Sequence, residues 1–290
     1  EQHTLGFSMQ TLLIGIGAVV GSWLPYILGN FLGFSTKSET QGLVPQNVTW
    51  SFYFGAAVLI TSIIWTVTTT KEYPPEFYDE EEDKSVPKQK FKIPPTMWQL
   101  LLVQFFSWFA LFSMWVYTTP AIAQHYFGTT DPNSAGYQDA GNWVGILFGI
   151  YNGVSAMIAL LLPKVAKVIG RKPTHALALT LGGLSFLSFA IISDYHLLWI
   201  PMIGIGIAWG SILAMPYAML ATSIPAKQMG MFMGLFNMSI TIPQIVNGIF
   251  SGLILKYFFD GDPIKALYMA GVLMILGAGS TFFVRDKINL

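Results

Sequence analysis

The side chains in this sequence that could exchange a proton, bind a metal or attack a substrate are few, and they fall almost entirely outside its apolar runs. There is no cysteine, which removes disulfides, thiolate metal sites and cysteine nucleophiles together. The four histidines are scattered, and His125 and His196 each stand alone, where a solvated or capped imidazole is the ordinary reading. No Asp or Glu lies deep within any long apolar run. With no nucleophile, acid pair, metal cluster or cofactor motif inside those runs, neither an enzyme nor a cofactor is expected. The runs do contain neutral groups able to hydrogen-bond and to stack.

Asn237, Thr241 and Gln244 recur at i, i+4 and i+7, which places all three on one face of a helix. A polar stripe is unfavourable against lipid, so it is expected to face a bundle interior. Gln104, Trp108, Trp115 and Thr118 share a face of another helix, with Tyr117 near it, and Asn152 and Ser155 form a short polar face beside Tyr151. Flat aromatic surfaces stack on the apolar faces of sugar rings, while amides and hydroxyls match hydroxyls that both donate and accept. The expected substrate-binding residues are therefore Trp108, Trp115, Tyr117, Asn152, Asn237, Thr241, Gln244 and Gln104, with Gln10 a further candidate. For Asn237 and Gln244 the competing reading is hydrogen bonding between helices. Trp98 and Trp143, both at helix starts, read instead as interfacial anchors.

The elements that must carry these groups follow from composition. Of 290 residues 53% are hydrophobic and only 10% are charged, against roughly a quarter charged in a soluble domain. Net charge is zero, so no basic field exists to hold nucleic acid. Spanning a bilayer takes roughly 20 apolar helical residues. Eight runs qualify, at about 7–33, 50–70, 96–123, 142–162, 175–193, 197–222, 231–257 and 266–284. Lys and Arg collect in alternate loops: twelve lie in the stretches 71–95 and 163–172, at Lys227, and at Arg285 and Lys287, against three at Lys37, Lys256 and Lys265. Cytoplasmic loops gather positive charge, so both ends of the chain are expected in the cytoplasm. The sequon Asn47-Val-Thr49 then falls in an exterior loop.

The stretch 71–95, with its acidic run from 79 to 83 followed by lysines and Pro94-Pro95, reads as a solvated linker between two helical parts. Two runs precede it and six follow. Gly6-Phe-Ser-Met9 at the first run resembles Gly230-Met-Phe-Met233 at the seventh, six helices later. Parallel six-helix repeats are the plan of major facilitator transporters. On that plan residues 1–70 are the last two helices of an N-terminal half, 71–95 the interdomain loop and 96–290 a complete C-terminal half, with four helices expected upstream of Glu1. The pairs Gly206/Gly210 and Gly230/Gly234 are expected to let helices approach closely, and Gly15, Gly17 and Gly21 to serve packing. Pro216 and Pro243 are expected to act as kinks.

The loop Pro163-Lys-Val-Ala-Lys-Val-Ile-Gly-Arg-Lys172 resembles the major facilitator motif G-x-x-x-D-R-x-G-R-K at Gly170, Arg171 and Lys172. It departs at Pro163 and at Lys167, which stands where the motif has its acid. From Gly206-Ile-Ala-Trp-Gly-Ser-Ile-Leu-Ala-Met-Pro-Tyr217 into Gly230-Met-Phe-Met-Gly-Leu-Phe-Asn-Met-Ser-Ile-Thr-Ile-Pro-Gln244, the chain is similar to the sucrose-transporter family of proton-coupled sugar symporters, near the glycoside-pentoside-hexuronide carriers. The resemblance implies an all-α major facilitator fold in the plasma (inner) membrane, with no metal. It implies a neutral disaccharide such as sucrose or maltose as substrate, a coupling proton, and a gating role for Gly170, Arg171, Lys172, Pro216 and Pro243. The resembled family carries acids where this chain has Trp115 and Tyr117, so coupling is expected elsewhere, at a sodium site, or not at all. A carrier of another solute and a non-transporting sugar sensor are the alternatives.

Overall fold

A computed structural model describes residues 2–36, 44–71, 93–224 and 228–286. The charged stretch 72–92 and Lys37, Lys227 and Lys287 lie outside the described residues. The described residues form nine α-helices and no strand. These are α1 (Gln2–Phe31), α2 (Gln46–Thr69), α3 (Pro95–Tyr126), α4 (Ala135–Ile169), α5 (Arg171–Ser188), α6 (Trp199–Ala221), α7 (Met229–Phe236), α8 (Met238–Phe258) and α9 (Pro263–Ser280). Seven helical segments among the described residues are long and apolar enough to cross a membrane, α7 and α8 together forming one of them. The eighth expected span, α5, is a shorter helix of 18 residues that opens on Arg171 and Lys172.

Helix starts follow local chemistry. Pro95 and Pro263 occupy first turns, where a missing N–H is harmless. Ser134 and Asp262 cap α4 and α9 by accepting from Tyr137 N and Ile264 N. One boundary corrects the sequence expectation. The stretch 163–172 is not a loop: α4 continues through Pro163 to Ile169, and Gly170 alone, at φ +89°, turns the chain into α5. Only glycine adopts that conformation freely. The seventh run tightens by one residue at Asn237, which stays in the helical region while its N–H donates to Met233 O at 3.1 Å and its carbonyl accepts from Ile240 N at 3.0 Å and Thr241 N at 3.4 Å. Pro243, which brings no N–H to the ladder, lies inside α8.

The chain divides into two compact units, Glu1–Trp23 with Pro94–Leu290, and Leu24–Ile93. In the smaller, Asn47 is buried in the first turn of α2 and its Nδ2 donates to Pro25 O at 3.0 Å. The asparagine of the Asn47-Val-Thr49 sequon is thus a buried tie. In the larger unit, α3 packs on α9 and α8, and α6 packs on α4 and α5. Between apolar helices in lipid, close backbone approach replaces hydrophobic drive. A Cβ at Gly206 would meet Tyr151 O at 2.5 Å, and one at Gly210 would meet Ser155 O at 3.1 Å. Gly183 and Gly271 bring α5 against α9 in the same way, since a Cβ added at either would meet the other's carbonyl at 2.8 Å. Gly15 meets Ala156, as its packing role requires, whereas Gly17, Gly21, Gly230 and Gly234 have nothing within 4 Å. The second expected glycine pair therefore seats no helix among the described residues.

Candidate functional site

In the larger unit three tryptophans from two helices meet edge to face. Trp108 and Trp115 lie seven residues apart on α3, two helical turns, and Trp209 comes from α6. Ring centroids are 6.2 Å apart for Trp108–Trp115, 5.6 Å for Trp108–Trp209 and 5.7 Å for Trp115–Trp209, with interplanar angles of 62°, 81° and 88°. Each separation suits the quadrupole preference of aromatic pairs. The glycines on either side of Trp209, Gly206 and Gly210, bring it within reach of α4.

The polar edge of this cluster comes from α4. Trp209 Nε1 donates to Asn152 Oδ1 at 3.2 Å, and Asn152 Nδ2 donates to Phe148 O at 2.8 Å. Trp115 Nε1 donates to Tyr151 Oη at 3.1 Å. Trp108 Nε1 is buried without a partner, as are Gln104 Nε2 one turn earlier and Ser155 Oγ one turn beyond Tyr151. Of the eight residues expected from sequence, Gln104, Trp108, Trp115 and Asn152 therefore belong to this neighbourhood of α3, α4 and α6. A buried donor without a partner is unfavourable by about 1–3 kcal/mol, which makes these atoms natural points for a ligand or a water.

The other four are placed differently. Tyr117 is buried, and its hydroxyl donates to Ser251 Oγ at 2.9 Å across the α3–α8 contact. Asn247, which sequence reasoning passed over, reinforces that contact by donating from Nδ2 to Phe109 O at 3.0 Å and Ser113 Oγ at 2.6 Å. The buried face of α8 is Ser239, Pro243, Asn247 and Ser251, repeating every four residues. The stripe expected to turn inward, Asn237, Thr241 and Gln244, lies on another face: Asn237 and Thr241 are exposed and Gln244 is half-buried. Asn237 Oδ1 accepts from Tyr217 Oη at 2.9 Å, and Tyr217 stacks against Phe7 and Phe236.

Arg171, expected in gating, is 3% exposed and makes four side-chain hydrogen bonds. Its Nε donates to Asp286 Oδ2 at 3.0 Å, Nη2 pairs with Asp286 Oδ1 and donates to Thr222 Oγ1 at 3.2 Å, and Nη1 donates to Ala218 O at 2.6 Å. One guanidinium thus ties the start of α5 to the last turn of α6, beyond Pro216, and to the segment after α9. Lys172 Nζ donates to Phe282 O at 3.2 Å. Asp286 was invisible from sequence as a partner because 115 positions separate it from Arg171. His175, one turn into α5, is fully buried and its Nδ1 shares a hydrogen bond of 2.8 Å with Ser211 Oγ. No group of three His, Cys, Asp or Glu among the described residues is placed to hold a metal.

Multiple apolar spans packed through close glycine contacts and buried polar ties define a multi-pass helical membrane protein. The family model of the Major Facilitator Superfamily matches residues 1–248, and the chain belongs to that family. Similarity extends to the Sucrose transport protein SUT2 of Oryza sativa subsp. japonica, 25% identical over 306 aligned positions that cover 86% of this chain and 60% of the relative. The chain therefore spans about 60% of the length of that curated relative. That relative is named as a sucrose transport protein.

Proposed function

We propose that the protein is a secondary active transporter that moves a neutral saccharide, a sucrose- or maltose-like disaccharide, by alternating access between two six-helix halves. The observation that carries this reading is the cluster of Trp108, Trp115 and Trp209 bordered by Asn152 and Tyr151, with no charged side chain in it. Indole faces suit the C–H faces of sugar rings, and the amide and phenol suit hydroxyls. The similarity to a sucrose transport protein supports the same substrate class.

On this reading residues 96–290 form one half, its six spans being α3, α4, α5, α6, α7 with α8, and α9. Residues 1–70 contribute two helices of the other half, and 71–95 is the loop between halves. The lysine and arginine distribution supports a cytoplasmic location for both ends of this chain, in the plasma (inner) membrane. Gly170, Arg171, Lys172, Pro216 and Pro243 serve gating, and transport is coupled to protons. Full-length protein in proteoliposomes tests the reading: saturable uptake of sucrose or maltose, stimulated by an inward proton gradient and weakened by Asn152→Ala, is expected. Failure to take up any neutral saccharide refutes the substrate. Uptake indifferent to the gradient refutes the coupling.

A further inference from the structure

We propose that Trp209 is the positioning residue of the saccharide site, holding Asn152, Trp108 and Trp115 in the arrangement the sugar meets; this rests on the saccharide reading above. Trp209 is the one ring in contact with both other tryptophans at close to a right angle, 81° and 88°, and also the donor to Asn152. It joins candidate groups on α3 to one on α4, while itself belonging to α6.

The hydrogen-bond pattern assigns the roles. Asn152 is fixed from both ends, with Oδ1 accepting from Trp209 and Nδ2 donating to Phe148 O, so its amide plane is set. Its amide also lies against the Tyr151 hydroxyl, and one oxygen lone pair on Oδ1 remains for a ligand hydroxyl. The indole N–H groups of Trp209 and Trp115 are both used inside the protein, and that of Trp108 is unpartnered. Trp108 is therefore the indole able to donate to sugar, and Trp209 the one that orients. The flanking glycines leave α6 little freedom to shift, since a Cβ at Gly206 would strike the backbone of α4. Orientation of Asn152 then depends on the indole N–H and not on bulk alone.

The experiment is a double-mutant cycle in saccharide uptake by the full-length protein in proteoliposomes, with Trp209→Phe, Asn152→Ala and the pair. Trp209→Phe keeps an aromatic ring and removes the N–H. It is expected to raise KM about tenfold, equivalent to about 1.4 kcal/mol, with Vmax within about twofold. In the Asn152→Ala background the same change is expected to raise KM by less than about twofold, because the group it orients is gone. A purely structural tryptophan would weaken both backgrounds equally, and that additive result overturns the inference. So does an unchanged KM in Trp209→Phe. Where Trp209→Phe does not elute as a folded species, Trp209→Met, which also lacks a donor, runs the same cycle with the same criterion. Wild-type protein that transports no saccharide overturns the saccharide reading and this inference with it, whereas wild-type uptake with an additive pair overturns this inference alone.

Discussion

Replacing Asp286 with alanine removes the carboxylate from a guanidinium that is 3% exposed, and the magnitude can be worked from the contacts that remain. Arg171 would keep Ala218 O and Thr222 Oγ1 and lose its only anion among the described residues. Breaking a buried ion pair from one side destabilises by about 3–5 kcal/mol, because a desolvated charge is left uncompensated. The Asp286 side chain is 10% exposed, so water can enter when it is truncated, and the lower end of that range, about 3 kcal/mol, is expected. Replacing both partners with apolar residues, Arg171→Met with Asp286→Leu, leaves no charge to compensate and is expected to recover most of the loss. Denaturant unfolding of purified protein in detergent measures all three species. High salt should change the wild-type value little, since the pair is shielded from bulk ions. A single Asp286→Ala losing less than about 1 kcal/mol, or a double variant no better than the single, refutes the account of this tie as a buried, mutually dependent pair.

Two further outcomes follow from packing. Gly206→Ala places a methyl on the backbone of α4 and is expected to destabilise by about 1–3 kcal/mol, whereas Gly234→Ala, with nothing within 4 Å, stays within about 0.5 kcal/mol in the same unfolding assay. Asn247→Leu removes the donor that bridges Phe109 O and Ser113 Oγ and is expected to lose about 1 kcal/mol by the same measurement; a neutral result means the bridge adds nothing to the α3–α8 contact.

The fold was legible because lipid enforces a simple rule: a spanning backbone must satisfy its own hydrogen bonds, so long apolar runs are helices. Runs at 50–70, 96–123 and 266–284 needed only small adjustments to become α2, α3 and α9. The exception has a local cause. Pro163 reads as a stop, yet a helix can pass through proline when surrounding groups absorb the lost bond, and here Gly170 does the turning instead. Asn237 reads as a mid-helix polar residue and stays one: its N–H donates to Met233 O at 3.1 Å and its carbonyl accepts from Thr241 N at 3.4 Å, so α7 and α8 run as one span.

Half of the candidate site was legible for the same kind of reason. Spacing along one helix reveals a face, so Gln104, Trp108 and Trp115 could be grouped on α3 without a structure. Spacing cannot reveal which tryptophan of another helix completes the group, and Trp209 stood in the sequence only as part of a glycine motif. Nor does a polar stripe reveal which side of its helix is packed. On α8 the packed face is the one that meets α3, where Asn247 and Ser251 find partners.

The stripe of Asn237, Thr241 and Gln244 consequently has to be judged by what it faces in a membrane. Polar side chains at that depth are unfavourable against hydrocarbon, so a stripe left outside the packed face of α8 is expected to border water. Because this chain has no cysteine, single substitutions report accessibility without background from it. Thr241→Cys is expected to react with a membrane-impermeant thiol reagent. Ile242→Cys, at the same depth but about 100° around the helix, is expected to stay unreactive. Ile242 is 44% exposed in the larger unit, so bare exposure does not distinguish it from Thr241; only the surrounding medium does. Protection of Thr241→Cys by saccharide would add the stripe to the transport path beside the tryptophan cluster. Equal reactivity at both positions, or none at Thr241, refutes the water-facing assignment and leaves Asn237 as a tie to Tyr217.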